Sequence, residues 1–434
     1  MGAVTDVAWL TWWPAPLGLS LVLVGIAVID AARAPDPARL SVSRELPPVL
    51  TLEAEGRIVW RVHNPVGHRV RTGIADALQP SLRAGRRRVS FELPPHGRGG
   101  METRIRPERR GRFELGPLTV RVYGRLGLAA RQATQHVPGE LRVYPPLRSR
   151  NVAEQKLRSA QLRTGLRLAQ GAGAGTEFEA LREYTRDDEF RHIDWAATAR
   201  VGKPIVRTFR PERNQTVLVL VDSGRTMAGQ LALPDGRARL SRGDPWTVPR
   251  LDHAMDGALA LTRVATGLGD AVGLVAFADR VRAVLPPRGH NDQLQRVAAA
   301  LHTVDPVLDE SDYRGAFVEA LARFPRRALL VVLTELAEEP MAATLLPALP
   351  LVARDHLVVV AGIRDPEVTT WARMRPDDAD GAYRKAAAAA AIDERRRSAA
   401  RLRGAGARVV DATPDELAAR LADVYLDTKL AGRL

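Results

Sequence analysis

The chain lacks cysteine altogether. Without a thiol it can form no disulfide framework, no thiolate metal site and no cysteine nucleophile. Aromatic residues are also scarce, at 5% of the 434 residues, which leaves little material for the stacking platforms of single-stranded nucleic-acid binders. The absence of cysteine fits a reducing compartment, and the shortage of aromatic residues argues against a nucleic-acid partner.

The motifs of the common catalytic classes are missing as well. The sequence has no Walker phosphate-binding loop, no Gly-x-Ser-x-Gly nucleophile elbow and no His-Glu-x-x-His zinc signature. The nine histidines are scattered, and His192 is more simply a packing or surface residue than a general base. We therefore expect a binding protein without catalytic residues. A hydrolase acting on cell-envelope polymers is a weaker alternative, because no motif supplies an acid–base pair.

Basic residues are in excess, with 64 Lys and Arg against 50 Asp and Glu and a formal net charge of +14. Such a charge suits nucleic acid or an anionic membrane surface. The arginines are spread along the whole chain with acidic residues between them, which favours no nucleic-acid site. Two arginine-rich strings, at 86–88 and 109–112, are either a solvated strand face or a contact with anionic headgroups.

The segment from Val7 to Ile29 carries no charge, and its 23 residues are enough to cross a hydrocarbon core. No Lys or Arg precedes it, whereas Arg33, Arg39 and Arg44 follow. The positive-inside rule then predicts a single-pass cell-membrane protein with its N-terminus outside and its soluble domains in the cytoplasm. Residues 1–39 are thus predicted to form the membrane anchor.

Two other interpretations of the anchor stay open. Ala32-Arg33-Ala34 resembles a signal-peptide cleavage site, but a basic n-region is missing and the apolar run is long for a signal peptide. A re-entrant hairpin that turns at Trp13-Pro14 has legs too short to cross the bilayer twice. We expect one retained span.

The soluble part is predicted to contain three regions. Residues 40–147 consist of short alternating runs separated by Pro and Gly, which predicts an antiparallel β-sandwich. Residues 148–215 join a helical connector, a glycine-rich hinge at 171–175 and a densely charged segment. Residues 216–434 alternate apolar runs with helical segments, which predicts an α/β domain with a parallel sheet and helices on both faces.

Individual elements of the last region can be placed. The predicted strands are Thr216–Asp222, Ala271–Ala278, Ala328–Thr334, Leu357–Ile363 and Arg408–Asp411. The predicted helices include Leu251–Gly267, Asp292–Val304, Arg314–Phe324 and Met341–Ala353. The Ala/Arg-rich run 383–403 is predicted to be an exposed helix inserted before the final strand. The last helix is predicted to start with a capping box, with Thr413 as N-cap, Pro414 at the first position and Glu416 at the third. In parallel sheets of this kind ligands bind beyond the carboxyl ends of the strands.

The charged segment reads EFEALREYTRDDEFRHIDWAATAR over 177–200 and follows a β region that ends in RGRFELGP at 110–117. In this order, these segments resemble the bacterial family called domain of unknown function 58 (DUF58). The resemblance implies a von Willebrand A-like domain of the Rossmann type. It also implies a membrane-associated scaffold that works with a MoxR-type AAA+ ATPase, or with that ATPase's client, in assembling or remodelling protein complexes.

The signature residues have two interpretations. They form an internal ion-pair network that fixes the hinge, or they present a charged surface to a partner. Trp195 is expected to be a buried anchor for the segment. The candidate partner-binding residues are Glu177, Arg182, Asp187, Asp188, Arg191, Asp194, Trp195, Arg200, Arg225 and Asp312.

The resemblance also implies a metal-ion-dependent adhesion site in degenerate form. In A-type domains an Asp-x-Ser-x-Ser loop, a Thr and a distal Asp hold a divalent ion, and their oxygen atoms suit Mg²⁺. Here a glycine replaces the middle serine, and the neighbouring Arg225 brings positive charge to where the ion would sit. The alternative is a metal-free loop in which the first Asp caps the following turn. The candidate ligands are Asp222, Thr226, Ser311 and Glu335.

A different class of function stays open, namely an extracytoplasmic adhesion or ligand-binding receptor whose anchor is inverted or cleaved. The absence of cysteine and the arginines after the span count against it.

Overall fold

The computed structural model describes residues 14–169, 177–185, 190, 193–210, 215–232, 247–290, 292–337 and 341–431. The chain divides into two compact units, Met1–Tyr144 and Pro145–Leu434.

The first unit begins with an apolar helix, α1, over Pro14–Arg33. Most of its leucine and valine side chains are exposed. The candidate span Leu17–Arg39 has a mean hydropathy of 1.9 and is long enough to cross a membrane, although an N-terminal signal sequence has the same properties. The apolar helix near the N-terminus is thus confirmed, and its orientation stays a prediction. Residues 7–13 of the predicted span lie outside the described residues.

The rest of the first unit is β structure around one apolar core that contains Trp60 and Phe113. Three sheets have the orders β1-β3-β6, β2-β10-β7 and β5-β4-β8-β9. The pairing of β2 with β10 is parallel, so the prediction of purely antiparallel pairing is wrong for these two strands, which come from opposite ends of the region. The strands are β1 Ser41–Glu45, β2 Val49–Thr51, β3 Gly56–His63, β4 Val70–Asp76, β5 Arg88–Leu93, β6 Arg98–Ile105, β7 Gly111–Glu114, β8 Leu118–Tyr123, β9 Ala130–Gln135 and β10 Glu140–Tyr144.

The second unit contains two small antiparallel pairs and one large sheet. Its strands are β11 Glu177–Glu183, β12 Ile205–Arg210, β13 Thr216–Asp222, β14 Gln230–Ala232, β15 Thr247–Pro249, β16 Ala271–Phe277, β17 Val281–Arg288, β18 Leu329–Thr334, β19 Leu357–Ile363 and β20 Arg408–Ala412. Its longer helices are α2 Arg150–Ala169, α3 Trp195–Val201, α4 Arg250–Gly267, α5 Gln293–Leu301, α6 Tyr313–Arg323, α7 Pro366–Arg373, α8 Ala379–Gly404 and α9 Pro414–Leu430.

The large sheet has the order β17-β16-β13-β18-β19-β20. All pairs are parallel except β17 with β16, which is antiparallel. Alternate residues of β13 enter different cores, Val219 on the side of α4 and α9 and Leu220 on the side of α6. Helices therefore cover both faces, which confirms the mixed α/β class and the parallel pairing of the five predicted strands.

Three local features differ from what the sequence predicts. No pattern predicts β17, whose Pro286 and Pro287 are tolerated because the strand lies at the sheet edge. The predicted helix Met341–Ala353 is broken into a π-helical turn, Met341–Leu345, and the short helices Leu346–Ala348 and Pro350–Ala353, since proline interrupts helical hydrogen bonding.

The third difference concerns the start of α9. Thr413 is its N-cap, as predicted, but the threonine side chain makes no capping hydrogen bond. Glu416 does not complete a capping box, because its carboxylate pairs with Arg420 one turn further on, at 3.2 Å.

Candidate functional site

Asp222 ends β13 at the carboxyl edge of the large sheet and is fully buried. Its Oδ1 accepts hydrogen bonds from the Gly224 backbone N–H at 2.8 Å and from Ser311 Oγ at 2.5 Å. Its Oδ2 accepts from the Tyr313 hydroxyl at 2.8 Å and from Thr334 Oγ1 at 2.6 Å. We call these five residues the Asp222 cluster. Four donors match the roughly four lone-pair sites that a carboxylate offers.

The loop before α6 delivers two of these donors. Asp312 is the N-cap of α6 and accepts a hydrogen bond from the Gly315 N–H at 2.8 Å, which starts the helix at Tyr313 and directs that side chain inward. The Tyr313 ring packs edge-on against Phe277 with centroids 5.3 Å apart. Burial, and then the nearby Asp222 charge, raise the pKa of the Tyr313 hydroxyl well above its usual value, so it stays a donor. Asp312 therefore has a structural role here.

Both oxygens of Asp222 are turned towards hydrogen-bond donors of the protein. Mg²⁺ would require oxygen ligands in near-octahedral geometry. Thr226 is half-buried, and its backbone carbonyl accepts from Arg250 Nη1 at 2.7 Å. Within the part of the chain that the structure describes, no group of three or more His, Asp or Glu side chains is placed to hold a metal ion.

The glycine at position 224 explains how the Ser311 hydroxyl comes within hydrogen-bond distance of Asp222. A Cβ atom at this position would lie 2.1 Å from Ser311 Oγ, a distance that two non-bonded atoms cannot adopt. The glycine therefore allows the Ser311 hydroxyl to approach Asp222. A serine at position 224 would require the second loop to move away.

Glu335, the candidate distal ligand, faces arginines instead of Asp222. Its Oε2 lies 2.9 Å from Arg250 Nε, and its Oε1 pairs with Arg395 Nη1. Arg395 Nη2 also donates to Asp411 Oδ1 at 2.8 Å. Burial raises the pKa of Glu335, and the two arginines oppose that shift. We call Arg250, Glu335, Arg395 and Asp411 the buried charge cluster.

No sequence pattern singles out Arg395, which lies in the Ala/Arg-rich helix α8. Its side chain is 11% exposed, although the predicted helix was expected to be an exposed insertion. Helix α8 contains fifteen other Ala and Arg residues, so nothing in the sequence distinguishes Arg395 from them. Its burial depends on how α8 packs in the folded domain.

The signature segment forms its own small substructure, in which β11 and β12 pair in antiparallel fashion and α3 lies between them in the chain. Asp194 is the N-cap of α3, accepting from the N–H groups of Ala196 and Ala197, each at 3.0 Å. Arg207 Nε donates to its other oxygen at 2.7 Å. This ion pair, more than the backbone bonds, lowers the pKa of the Asp194 carboxyl. Asp194 therefore fixes the segment's conformation.

The prediction that Trp195 is a buried anchor is wrong, since 67% of its surface is exposed. Ile193 and Asp194 are buried, so the first residue of α3 is turned outward. The segment has other large exposed apolar side chains, and we call the four together the exposed signature residues: Leu181, Phe190, Trp195 and Val201.

The remaining candidates lie at or near the surface or outside the described residues. Arg200 is exposed and donates to the Ala196 carbonyl at 3.1 Å, while Arg182 is half-buried and donates to the Glu183 carbonyl at 3.3 Å. Exposed Arg225 pairs with Glu310 at 2.5 Å. Glu177 begins β11 opposite Arg210. The candidates Asp187, Asp188 and Arg191 lie outside the described residues, as does His192.

Among solved structures, the chain is similar to the CARDB domain of a Pyrococcus furiosus protein, with 16% identity over 25% of this chain and 89% of that chain at a TM-score of 0.18. It is also similar to an uncharacterized membrane spanning protein from Vibrio fischeri, with 13% identity, 50% and 98% coverage and a TM-score of 0.17. Proximal thread matrix protein 1 from the mussel byssus has 10% identity, 50% and 46% coverage and a TM-score of 0.29. Scores this low assign neither a fold nor a role. No curated protein matches the chain.

The family comparison is more informative. The model described as "Protein of unknown function DUF58" matches residues 180–379, a region that takes in the exposed signature residues, the Asp222 cluster and the start of α8. The match covers 200 of the 434 residues and supports the resemblance of this region to the DUF58 family.

Proposed function

We propose that this protein is a membrane-anchored, non-enzymatic scaffold that binds a partner protein through the exposed signature residues. The observation that carries the proposal is Trp195, an aromatic side chain exposed over two thirds of its surface within the region that the family model matches. Apolar side chains that are exposed together, rather than scattered singly, mark interaction surfaces, and four of them fall within residues 181–201. Trp, Tyr and Arg are also the residue types that dominate binding energy at protein interfaces.

The partner we propose is a MoxR-type AAA+ ATPase or its client, because the family resemblance implies it. The segment around Trp195 carries exposed charges of both signs, among them Arg200, Lys203 and Glu183, which can pair with complementary charges on a partner. Complementary charge speeds association and selects the partner. Scaffolding of this kind would serve the assembly or remodelling of protein complexes.

We further propose that residues 216–434 form a von Willebrand A-like domain that works without a metal ion. One antiparallel edge strand on an otherwise parallel sheet, and an aspartate that ends a central strand, support this fold. The hydroxyl donors around Asp222 support the metal-free alternative, because they occupy both carboxylate oxygens. In this proposal the Asp222 cluster holds the strand-end loops together, and partner binding lies elsewhere.

A photo-crosslink at the signature segment tests the proposal. The chain has no cysteine, so Trp195→Cys introduces a single thiol that can carry a benzophenone. Trp371→Cys is the matched control, since Trp371 is an exposed tryptophan of the same unit on α7, outside the segment. We expect irradiation of membranes to crosslink a MoxR-type ATPase or its client at position 195 and not at 371. Equal products at both positions, or none at 195, would refute the docking role.

The extracytoplasmic receptor is retained as a second candidate because a signal sequence has the same apolar character as α1. Protease added to intact cells separates the two candidates. The proposed topology predicts that residues 145–434 are protected until the membrane is opened. Digestion in intact cells would favour the receptor.

A further inference from the structure

The end of α1 is joined to a loop of the first unit through a buried carboxylate. Asp30 lies in the last turn of α1 and is 3% exposed. Its Oδ1 accepts from the Leu126 N–H at 2.9 Å, and its Oδ2 accepts from the N–H groups of Leu128 at 3.0 Å and Ala129 at 3.3 Å. Successive backbone amides thus surround one carboxylate, as in anion-binding loops. The loop 124–129 connects β8 to β9, and we call it the 124–129 loop.

The fit between loop and helix depends on glycine. A Cβ atom on Gly124 would lie 2.2 Å from Asp30 Cγ, so no larger residue permits this approach. Gly127 has φ +73°, a conformation that other residues seldom adopt. Further along β9, the Gln135 amide donates to the carbonyls of Pro37 and Leu40 at 3.0 and 2.9 Å. The hairpin is therefore held beside the helix end at two separate places.

The loop nonetheless exposes two leucines. Leu126 is 66% and Leu128 54% exposed, although their own N–H groups bind Asp30. Their position relative to α1 is informative. A 20-residue helix is about 30 Å long, which matches the hydrocarbon thickness of a bilayer. Asp30 precedes the helix end by three residues, or roughly 4.5 Å, so a spanning α1 places Asp30 and both leucines at the boundary of the hydrocarbon region.

The charges around the two leucines suit the same environment. Arg33, Arg125 and Arg131 are all exposed. They lie at the end of α1, in the 124–129 loop and at the second residue of β9. Arginines near the boundary interact with anionic headgroups, while apolar side chains beside them enter the interface by several ångströms. A second protein chain is the competing occupant, but only the bilayer is continuous with the apolar surface of α1 itself.

We propose that the 124–129 loop is a second membrane contact, in which Leu126 and Leu128 insert at the lipid interface beside α1 and Asp30 holds the loop in place. The inference rests on the proposed span. The first unit would then contact the membrane surface through this loop, in addition to its covalent connection through α1.

Fluorescence quenching of the full chain in vesicles tests this proposal. Single cysteines at Leu126, Leu128, Val24 and Thr134 carry an environment-sensitive fluorophore, in vesicles of phosphatidylcholine and phosphatidylglycerol that contain doxyl lipids. Val24 is an exposed residue of the span, and Thr134 is an exposed residue near the far end of β9. We expect shallow doxyl groups to quench positions 126 and 128 about threefold more than 134, since interfacial side chains lie within reach of these groups. Deep doxyl groups should quench position 24 most.

The outcomes separate the loop from the span. Quenching at 24 with no difference between the leucine positions and 134 overturns the loop contact and leaves the span in place. Absence of quenching at 24 overturns both. Protection of 126 and 128 from doxyl lipid and from aqueous iodide alike means that protein covers them, which also overturns the proposal. Gly124→Ala provides a further check, because displacing the loop from Asp30 should abolish quenching at 128 and preserve it at 24.

Discussion

The Asp222 cluster and the exposed signature residues belong to the same unit and have opposite characters. Asp222 is a buried charge whose oxygens receive four hydrogen bonds, whereas Trp195 is an apolar side chain that is mostly exposed. A buried charge is tolerated only when its hydrogen-bonding capacity is met, so the first region is explained by the fold alone. The exposed signature residues, in contrast, contribute little to folding, because exposed apolar side chains remain in contact with water. The comparison therefore directs the search for function from the metal-site loop to the signature segment.

Asp194 and Asp222, two candidate site residues from the sequence, both have structural roles in the fold. Asp194 caps α3 and pairs with Arg207. Asp222 accepts hydrogen bonds from Ser311, in the loop before α6, and from Thr334, at the end of β18. Both hold local structure together, as does Asp312 at the start of α6. Loss of such a residue would impair the protein through its stability, which any functional experiment must separate from loss of a binding surface.

The largest effect is expected from Asp222→Ala. The change removes the acceptor of the buried Ser311, Tyr313 and Thr334 hydroxyls, of which Tyr313 and Thr334 lie 2.6 Å apart and can still bond to each other. Each buried polar group left unsatisfied costs about 1–3 kcal/mol. We expect the free energy of unfolding to fall by about 4 kcal/mol, measured by denaturant unfolding of the detergent-solubilised chain. Asp222→Asn keeps one carbonyl acceptor and should lose roughly half as much. A loss below about 1 kcal/mol for the alanine variant would contradict the closed cluster.

A somewhat smaller effect is expected from pH. His253 is buried in the first turn of α4, and burial, with the charges of Arg148 and Arg250, lowers its pKa from 6.5 to about 3. The unfolded chain binds more protons than the folded chain between these two values, so stability is lost as the pH falls from 6.5 towards 3. The contribution between pH 7 and pH 4 is roughly 3 kcal/mol.

The matched control for this prediction is His253→Gln, which removes the titrating group. Burial raises the pKa of Asp256 and Glu335, so these neighbours favour the folded state as the pH falls. The difference between the wild-type protein and His253→Gln isolates the histidine. Parallel pH profiles for the two proteins would mean that His253 is not buried in its neutral form.

The smallest effect is expected from magnesium. A ligand that binds only the folded state raises the melting temperature once its free concentration exceeds its dissociation constant. We expect millimolar Mg²⁺ to leave the melting temperature of the EDTA-treated chain unchanged, because the Asp222 oxygens already face four donors. If Mg²⁺ raises the melting temperature by several degrees and Asp222→Asn abolishes the rise, Asp222 binds the metal ion. The Asp222 cluster would then be a ligand site and not a purely structural one.

The sequence predicts the large sheet well because its strands are nearly continuous Val and Leu runs that need both faces buried. Thr216–Asp222 and Leu357–Ile363 agree with the observed strands residue for residue. The edge strand β17 escapes this signal because it is half-exposed and contains two prolines.

The candidate site was less predictable than the sheet. The metal-site resemblance led to Asp222 and Ser311, which do meet, but it missed Tyr313 and Thr334, whose roles depend on the direction of their side chains. Glu335 was assigned to the same site and instead pairs with Arg250 and Arg395. Residue type suggested burial for Trp195, whereas the orientation of the short helix α3 decides its exposure.

The most direct test of the account compares partner retention by Trp195→Ala and Asp222→Asn in membranes, with the amount of folded protein held equal. Truncation of a hot-spot residue at an interface costs about 2 kcal/mol or more, and tryptophan is enriched among hot spots, so we predict about a thirtyfold loss of affinity for the crosslinked partner in Trp195→Ala. The affinity of Asp222→Asn and of the control Trp371→Ala should stay within about twofold of the wild-type value, since surfaces outside the contact contribute little. Loss of the partner in Asp222→Asn with full retention in Trp195→Ala would contradict the account and return the binding surface to the strand ends.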